Sequence, residues 1–209
     1  MTAAAAEIAV LDYGIGNLRS AERALARVGA AARLVTDAAD VAGAAGVVLP
    51  GVGAFGRCAA ALAASGLGDA ATEAIAHGVP FLGICVGFQL LYEGSEESPA
   101  TPGLGVLAGT VRRLTGPSKV PQMQWNVLER TRPSALLEGV GDEPWVYFVH
   151  SYAPEIGPET VAVCDYAGPV AAAAETGNVW ATQFHPEKSG AAGLGILANF
   201  VARCARRAS

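Results

Sequence analysis

The sequence predicts an α/β protein with a mostly parallel central sheet flanked by helices and an antiparallel extension. In the first half, short apolar runs alternate with helical stretches, the rhythm of βαβ units in a parallel sheet. After Gly103 the pattern changes to alternating, aromatic strands joined by turn residues, which favours antiparallel pairing. The 209 residues, 52% of them hydrophobic and 16% charged, suffice for one substantial core. We therefore expect a single domain over residues 1–209.

The predicted elements follow in chain order. The first half has strands at 8–11, 34–36, 47–49 and 81–84 and helices at 17–28, 62–76 and 86–92. We expect Asn17 to cap the first helix and Gly29 to end it. Gly66 and Gly68 interrupt the second helix. The antiparallel extension uses strands at 145–149, 161–166 and 179–184, and a helix at about 191–206 closes the chain.

Composition excludes several classes of protein. The net charge is -5 with a pI near 5.2, and the few basic residues are scattered, so we expect no nucleic-acid partner. No apolar run is long enough to span a membrane, and we expect a cytoplasmic protein. The four cysteines contain no C-x-x-C pair, so the sequence predicts neither a metal site nor a cofactor, and no disulfide framework.

One cysteine lies in a motif that indicates chemistry. Residues 83–87 read Gly-Ile-Cys-Val-Gly between a predicted strand and a predicted helix, the thiol counterpart of the G-x-S-x-G nucleophile elbow. The flanking glycines allow the sharp turn, and the helix N-terminus favours a thiolate at Cys85. The alternative is a buried structural cysteine at a strand end, which this context disfavours.

A catalytic cysteine needs a base, and the chain has three histidines. His77 lies at the end of a predicted helix, where it is most simply a solvent-facing charge. His150 lies in an aromatic strand and is either a core or a site-lining residue. His185 is followed two residues later by Glu187, which could fix its tautomer and leave Nε2 for the Cys85 thiol. This spacing favours a Cys85-His185-Glu187 triad.

Two glycine-rich turns allow more than one interpretation. The loop that contains Gly51, Val52 and Gly53 could present peptide N–H groups to an oxyanion beside the N–H of Val86, or it could be an ordinary turn between strand and helix. The Gly-Ile-Gly turn at 14–16, with Asp37 further on, raises the possibility of dinucleotide binding. That fingerprint lacks its third glycine and is weak.

These motifs resemble those of the class I (triad) glutamine amidotransferases, a family with a flavodoxin-like α/β fold, and the resemblance covers essentially the whole chain. More narrowly, the segments 12–20, 50–55, 147–152 and 183–189 resemble the glutaminase subunits of imidazole glycerol phosphate synthase. The resemblance implies that glutamine acylates Cys85, that ammonia leaves and that water releases glutamate. His185 would then be the general acid and base, and Glu187 the carboxylate that orients it.

The resemblance also implies binding residues and a partner. Gly53, Gln89, Glu97, Ser151 and Tyr152 would hold glutamine, the last two mainly through their backbone. The partner would be a (β/α)₈-barrel cyclase subunit in a heterodimer, which uses the ammonia in histidine biosynthesis. A chain of 209 residues has no room for such a synthase. The implied docking residues are Asn17, Met123, Gln124, Trp125, Asn126 and Lys188, with Trp125 as the anchor.

The segment 121–126 departs from the family pattern, which more usually reads Pro-His-Met-Gly-Trp-Asn. Gln122 and Gln124 replace the histidine and the glycine.

Two other functions stay open at this point. One is a glutaminase for a different synthase, such as one that makes anthranilate or pyridoxal phosphate, which co-purification with a barrel partner would exclude. The other is a catalytically silent binding module, which trapping Cys85 with a glutamine-analogue electrophile would exclude.

Overall fold

The computed structural model describes residues 5–207. Its strands, in chain order, are β1 (Glu7–Leu11), β2 (Ala31–Val35), β3 (Gly46–Gly51), β4 (Phe81–Cys85), β5 (Gly94–Ser95), β6 (Thr110–Arg113), β7 (Gln122–Val127), β8 (Glu129–Arg130), β9 (Trp145–His150), β10 (Tyr152–Pro154), β11 (Thr160–Asp165), β12 (Pro169–Thr176) and β13 (Val179–Thr182). The α-helices are α1 (Leu18–Arg27), α2 (Phe55–Ala64), α3 (Leu67–Ala76), α4 (Val86–Gln89) and α5 (Gly190–Arg207). Short 3₁₀ helices lie at Ala38–Asp40 and Pro186–Lys188.

The central sheet has eight strands in the order β2-β1-β3-β4-β13-β12-β11-β8. The pairs from β2 to β13 are parallel, and those from β13 to β8 are antiparallel. β3 and β4 are buried along their whole length, as expected for parallel strands covered on both faces. A mostly parallel sheet with helices and an antiparallel extension is therefore confirmed.

Two of the three strands assigned to that extension are placed differently. The segment predicted at 179–184 forms β13, which runs parallel to β4, because the hairpin from β12 reverses the chain once more. The segment predicted at 145–149 forms β9, which is antiparallel as predicted but pairs with β7 in a two-stranded ribbon separate from the central sheet. The third, β11, lies in the antiparallel part as predicted. Among the strands that the sequence did not predict are β6 and β10, which pair with each other in a small sheet that includes β5.

The helices agree with the sequence in position more than in detail. α1 ends just before Gly29, where φ is +95°. Asn17 occupies the N-cap position as predicted, but its side chain accepts a hydrogen bond from the Ser20 hydroxyl at 2.9 Å and caps no helix N–H group. Gly66, with φ of +73°, separates α2 from α3, whereas Gly68 lies inside α3. The helix predicted at 86–92 is the shorter α4. The loop at 103–107 hydrogen-bonds to the backbone carbonyls of residues 90–93 and so ends it early.

The buried apolar side chains of the described residues form a contiguous core around the central sheet. α1 packs against α5, and α2 packs against α3. The Gly-Ile-Gly turn after β1 has a structural reason for its second glycine, since a Cβ on Gly16 would lie 2.7 Å from the Leu18 side chain. Within residues 5–207, the helices are all too short or too polar to cross a membrane.

Candidate active site

Cys85 lies at the turn from β4 into α4 in a strained conformation. Its φ is +56° and its ψ is -111°, which a residue with a side chain adopts only when the surroundings enforce it. The flanking positions 83 and 87 require glycine, because other backbone atoms lie too close for a Cβ. A Cβ on Gly87 would lie 1.8 Å from the carbonyl oxygen of Leu49, and one on Gly83 would lie 2.9 Å from that of Gly87. The residues at 83–87 therefore form the strained turn from strand to helix that a nucleophile elbow requires.

His185 follows β13, the neighbour of β4, so the sheet itself brings it to Cys85. Thr182 lies opposite Ile84 in the register, and His185 and Cys85 line the same cavity. The His185 Nδ1 is 2.7 Å from the Glu187 carboxylate, and both side chains are almost completely buried. The Ser189 hydroxyl donates to the His185 carbonyl oxygen at 2.6 Å and holds this turn in place.

The charge on His185 depends on its two neighbours. Burial lowers the pKa of the imidazole, but its contacts with the Cys85 thiol and the Glu187 carboxylate outweigh burial and raise the pKa to about 10. Its Nε2 is buried beside the thiol. Among the residues that the structure describes, no nitrogen or oxygen atom forms a hydrogen bond with it. With Nδ1–H donated to Glu187, Nε2 is the nitrogen that can exchange a proton with the sulfur.

The cavity in front of Cys85 has a volume of about 300 Å³. Besides Cys85 and His185, the sequence-predicted residues that line it are Val52, Gly53, Val86, Gln89, Glu97, Ser151 and Tyr152. Gly51 lies just outside, in a small crevice that it shares with Asn17 and Glu187. The structure thus brings together, around one cavity, residues that are far apart in the sequence.

Two buried side chains hold the end of β3 and the loop that follows it. The Tyr13 hydroxyl donates to the Pro50 carbonyl oxygen at 2.7 Å, and the Cys58 thiol donates to that of Val52 at 3.3 Å. Because the peptide is planar and trans, a Val52 carbonyl that faces Cys58 turns the Gly53 N–H in the opposite direction. Gly53 has φ of +92°, a conformation that glycine adopts readily. These contacts define the resting conformation of the loop.

The wall of the cavity is fixed by buried polar contacts. Gln89 Nε2 donates to the Tyr152 carbonyl oxygen at 2.8 Å, so that carbonyl is occupied by the protein itself. The Ser151 carbonyl oxygen likewise accepts from the Leu114 N–H at 2.9 Å. The Glu97 carboxylate accepts from the Phe55 N–H at 2.7 Å, at the N-terminus of α2, where the helix dipole favours its charge.

The other two histidines have different environments. His150 lines the cavity, and burial lowers its pKa to about 4, so it is neutral at physiological pH. Its Nδ1 then donates to the Tyr152 carbonyl oxygen at 2.9 Å. His77 is exposed at the end of α3 and contacts the Glu73 carbonyl oxygen. Only His185 among them has a carboxylate on one nitrogen and the thiol beside the other.

The remaining cysteines are all free and buried. Burial is the main cause that raises the pKa of each of the three thiols. The pKa of Cys58 is raised, that of Cys164 rises to about 11, and that of Cys204 rises to about 12. These three thiols therefore stay protonated at neutral pH. Among the described residues, His, Cys, Asp and Glu form no cluster that could hold a metal ion.

The implied docking residues lie partly on the β7–β9 ribbon. Met123 is 62% exposed and Trp125 is 47% exposed, and the Trp125 ring contacts that of Tyr147 with centroids 6.1 Å apart. Gln124 and Lys188 are exposed, whereas Asn17 and Asn126 are half-buried. Gln122 is different, because it is fully buried and donates from Nε2 to the Cys164 sulfur at 3.6 Å. Its replacement of histidine therefore changes the interior and not the exposed face.

Three polar groups of the site were not predicted from the sequence. Gln183 is buried, with Nε2 3.8 Å from the Cys85 sulfur, and Tyr13 and Cys58 hold the loop after β3. The sequence does carry a signal for Gln183, which lies two residues before His185. Alternate residues along an extended segment face the same side, so this spacing places Gln183 near the same site. No local pattern marks Tyr13 or Cys58, whose partners are 37 and 6 residues away.

Comparison with known proteins identifies the class to which this fold and site belong. The model of the family "Glutamine amidotransferase class-I" matches residues 9–204, so the chain belongs to that family. Solved structures share the fold. A protein from Thermoplasma acidophilum described as a GMP synthase subunit superposes with a TM-score of 0.73 at 23% identity, over 97% of this chain and 95% of that one. PurLQS from Thermotoga maritima gives 0.75 at 20% identity, over 95% and 98%.

Closer relatives narrow the group. The imidazole glycerol phosphate synthase subunit HisH of Deinococcus radiodurans is 52% identical over 94% of each chain. The subunit of the same name from Methanothermobacter thermautotrophicus is 49% identical, over 93% of this chain and 97% of that one. Within the class-I family, the chain therefore groups with the HisH subunits, and it is a glutamine amidotransferase.

Proposed function

We propose that this subunit hydrolyses glutamine at Cys85 and delivers the ammonia to a (β/α)₈-barrel cyclase subunit, in the cytoplasm, for the imidazole-forming step of histidine biosynthesis. The observation that carries the proposal is the strained Cys85 at the edge of a cavity, with the buried His185–Glu187 pair beside its sulfur. The HisH relatives, which are named as subunits of imidazole glycerol phosphate synthase, support the choice of partner and product.

The geometry supports a two-step acyl transfer. The Cys85 thiolate attacks the side-chain amide carbon of glutamine, and the carbonyl oxygen becomes an oxyanion. Peptide N–H groups of Val86 and of the loop at 51–53 would stabilise that charge. Protonated His185 gives its proton to the amide nitrogen as the C–N bond breaks, which releases ammonia and leaves a thioester.

The second step restores the enzyme. His185, now neutral, takes a proton from water, and the resulting hydroxide attacks the thioester carbon. The C–S bond breaks, glutamate leaves, and the sulfur departs as the thiolate beside the imidazolium. Glu187 stabilises the imidazolium and keeps Nδ1 protonated in both steps. Gln89, Glu97, Ser151 and Tyr152 would form the wall that holds the amino and carboxyl groups of glutamine.

The exposed ribbon supports the proposal of a docked partner. Met123 and Trp125 lie on β7, and the register places Val149 and Tyr147 directly opposite them on β9, so these side chains share one face. Large exposed apolar side chains grouped on one surface are typical of protein interfaces. Pro121, which precedes β7, lines the cavity together with Val149, so the ribbon borders the site directly.

The decisive experiment separates the source of ammonia from the synthesis that uses it. In the complex with the cyclase, Cys85→Ala should abolish synthesis with glutamine and leave synthesis with added ammonium salt unchanged. Cys204→Ala removes a buried thiol elsewhere in the core and should change neither. Loss of both activities in Cys85→Ala would show that the cysteine is needed for structure or assembly, and would count against its role as nucleophile.

A further inference from the structure

Gln183 contacts the sulfur of Cys85 from the interior of the protein. It is fully buried just beyond the end of β13, with its backbone N–H donated to the Ala172 carbonyl oxygen at 2.8 Å. Its side-chain Nε2 lies 3.8 Å from the Cys85 sulfur, within hydrogen-bond distance for sulfur, and its Oε1 lies 3.1 Å from Gln89 Nε2. Unlike Gln89, it does not line the cavity.

The direction of this hydrogen-bond chain is fixed by a backbone carbonyl. The Tyr152 carbonyl oxygen can only accept, so the Gln89 amide must face it with Nε2. The same nitrogen can only donate, so Gln183 must turn its Oε1 toward it. Gln183 Nε2 is then left to donate to Cys85. Rotating either amide by 180° would set two donors or two acceptors against each other in a buried place.

We propose that Gln183 is a positioning residue for the nucleophile, which holds the Cys85 sulfur toward His185 and stabilises the thiolate by an N–H donor. The proposal rests on the role of Cys85 in the proposed function. Gln183 and His185 flank Phe184, so one short segment supplies both of these partners of the sulfur. A donor to an anion forms a stronger hydrogen bond than a donor to a neutral thiol. Loss of Nε2 should therefore disfavour the thiolate more than the thiol.

The test uses the complete heterodimer and two variants of Gln183. Gln183→Met removes the donor at similar volume, and Gln183→Glu keeps the shape but replaces the N–H₂ group with an oxygen. The readout is the rate at which iodoacetamide modifies the Cys85 peptide as a function of pH, together with kcat and KM for glutamine. Thr182→Val is the control, because it removes a neighbouring buried hydrogen bond, from Thr182 to the Phe184 carbonyl oxygen, that does not reach the sulfur.

In Gln183→Met we expect the pH midpoint of alkylation to rise by about one unit, since one charge-assisted hydrogen bond is lost. The value of kcat should fall about tenfold. Gln183→Glu should also raise the midpoint, because over the pH range in which the buried carboxyl group is ionised it repels the thiolate. Thr182→Val should lower the melting temperature without moving the midpoint. An unchanged midpoint in both Gln183 variants overturns the proposal. A wild-type complex that makes no glutamate would instead refute the proposed function.

Discussion

The elbow around Cys85 and the β7–β9 ribbon are built in contrasting ways. At the elbow, glycines at 83 and 87 let backbones approach so closely that a single Cβ would collide with a carbonyl oxygen. On the ribbon, Met123 and Trp125 are largely exposed. The first region is determined by contacts within the chain, whereas the second offers a surface that a partner would cover. Changes at the elbow should therefore act on the chemistry of the free subunit, and changes on the ribbon should act on assembly.

The largest expected effect is at the triad. His185→Ala should lower glutamine-dependent synthesis nearly as much as Cys85→Ala, by about 10⁴-fold or more, since triad members act as a unit. Glu187→Gln should be milder, because the amide can still accept a hydrogen bond from Nδ1. Steady-state glutamate formation by the complex measures both. His150→Ala is the matched control, and a greater loss there than in His185→Ala would show that the base is misassigned.

The next effect tests whether the two regions communicate. We expect the free subunit to be a poor glutaminase that a docked, liganded cyclase stimulates by about 10²–10³-fold, the value of one oxyanion-hole donor. The structural reason is the loop at 51–53, which Tyr13 and Cys58 hold in its resting conformation. Asn17, beside Gly51 in the small crevice, is placed to transmit docking to it. Continuous assays of glutamate decide this, and equal turnover in the free and liganded states would contradict it.

Replacing Trp125 tests the ribbon alone. Trp125→Ala should weaken binding to the cyclase by about 2 kcal/mol or more, because tryptophans are prominent among the residues that dominate interface energies. The melting temperature of the free subunit should hardly change, since the ring is 47% exposed. Ile156, also 49% exposed but outside the ribbon, gives the control variant Ile156→Ala. Titration calorimetry should find normal affinity for the control. A large fall in melting temperature in Trp125→Ala would assign the ring to the fold instead.

The same contrast explains what the sequence could predict. The elbow and the His185–Glu187 pair are local patterns, so the motif at 83–87 and a two-residue spacing were enough to find them. The parallel direction of β1, β3 and β4 follows from the alternation of strands and helices along the chain. In contrast, the parallel direction of β13 depends on a hairpin with β12, and the ribbon depends on pairing between β7 and β9, which are separated by a long loop. Such long-range pairing leaves little local trace.

Side-chain partners were harder still to predict. The Asn17 side chain, expected to cap α1, instead accepts from Ser20, because two local hydrogen bonds compete for one oxygen. Gln122 directly precedes the expected docking residue Met123, yet alternation along β7 turns it into the interior, opposite His150. The roles proposed for the catalytic, glutamine-binding and docking residues stay predictions.

A pair of glycines in α5 tests how tightly the triad segment is packed. A Cβ on Gly193 would lie 1.9 Å from the Pro186 carbonyl oxygen, whereas one on Gly195 would meet only a Val140 methyl at 3.7 Å. Gly193→Ala should destabilise the protein by about 1–3 kcal/mol and lower activity, since it displaces the turn between His185 and Glu187. Gly195→Ala should be neutral or stabilising by up to about 1 kcal/mol, because alanine favours a helix. Denaturant unfolding compares them, and equal effects would contradict the close packing.

The smallest expected effect is a dependence of stability on pH. Burial holds the pKa of His150 near 4 in the folded protein, below about 6.5 for an unfolded histidine. Between these values the unfolded state binds more protons, so stability falls as pH falls through about 6.5. His185 has a raised pKa, so its contribution is fully present below about 6.5 and is lost as pH rises toward 10. Between about pH 7 and pH 5.5 the two histidines therefore act in opposite directions, and His150 is isolated by comparing the wild type with a variant that lacks it.

From about pH 7 to about pH 5.5, the buried neutral His150 should lower the unfolding free energy of the wild type by about 1 kcal/mol relative to that of His150→Gln. His77→Gln, which replaces an exposed histidine, should respond to pH as the wild type does. Urea unfolding of the three proteins at both pH values measures the difference. If stability changes equally in His150→Gln and in the wild type over this range, His150 is not held neutral. The wall that it forms with Tyr152 would then carry a charge below about pH 6.5, beside the proposed site for glutamine.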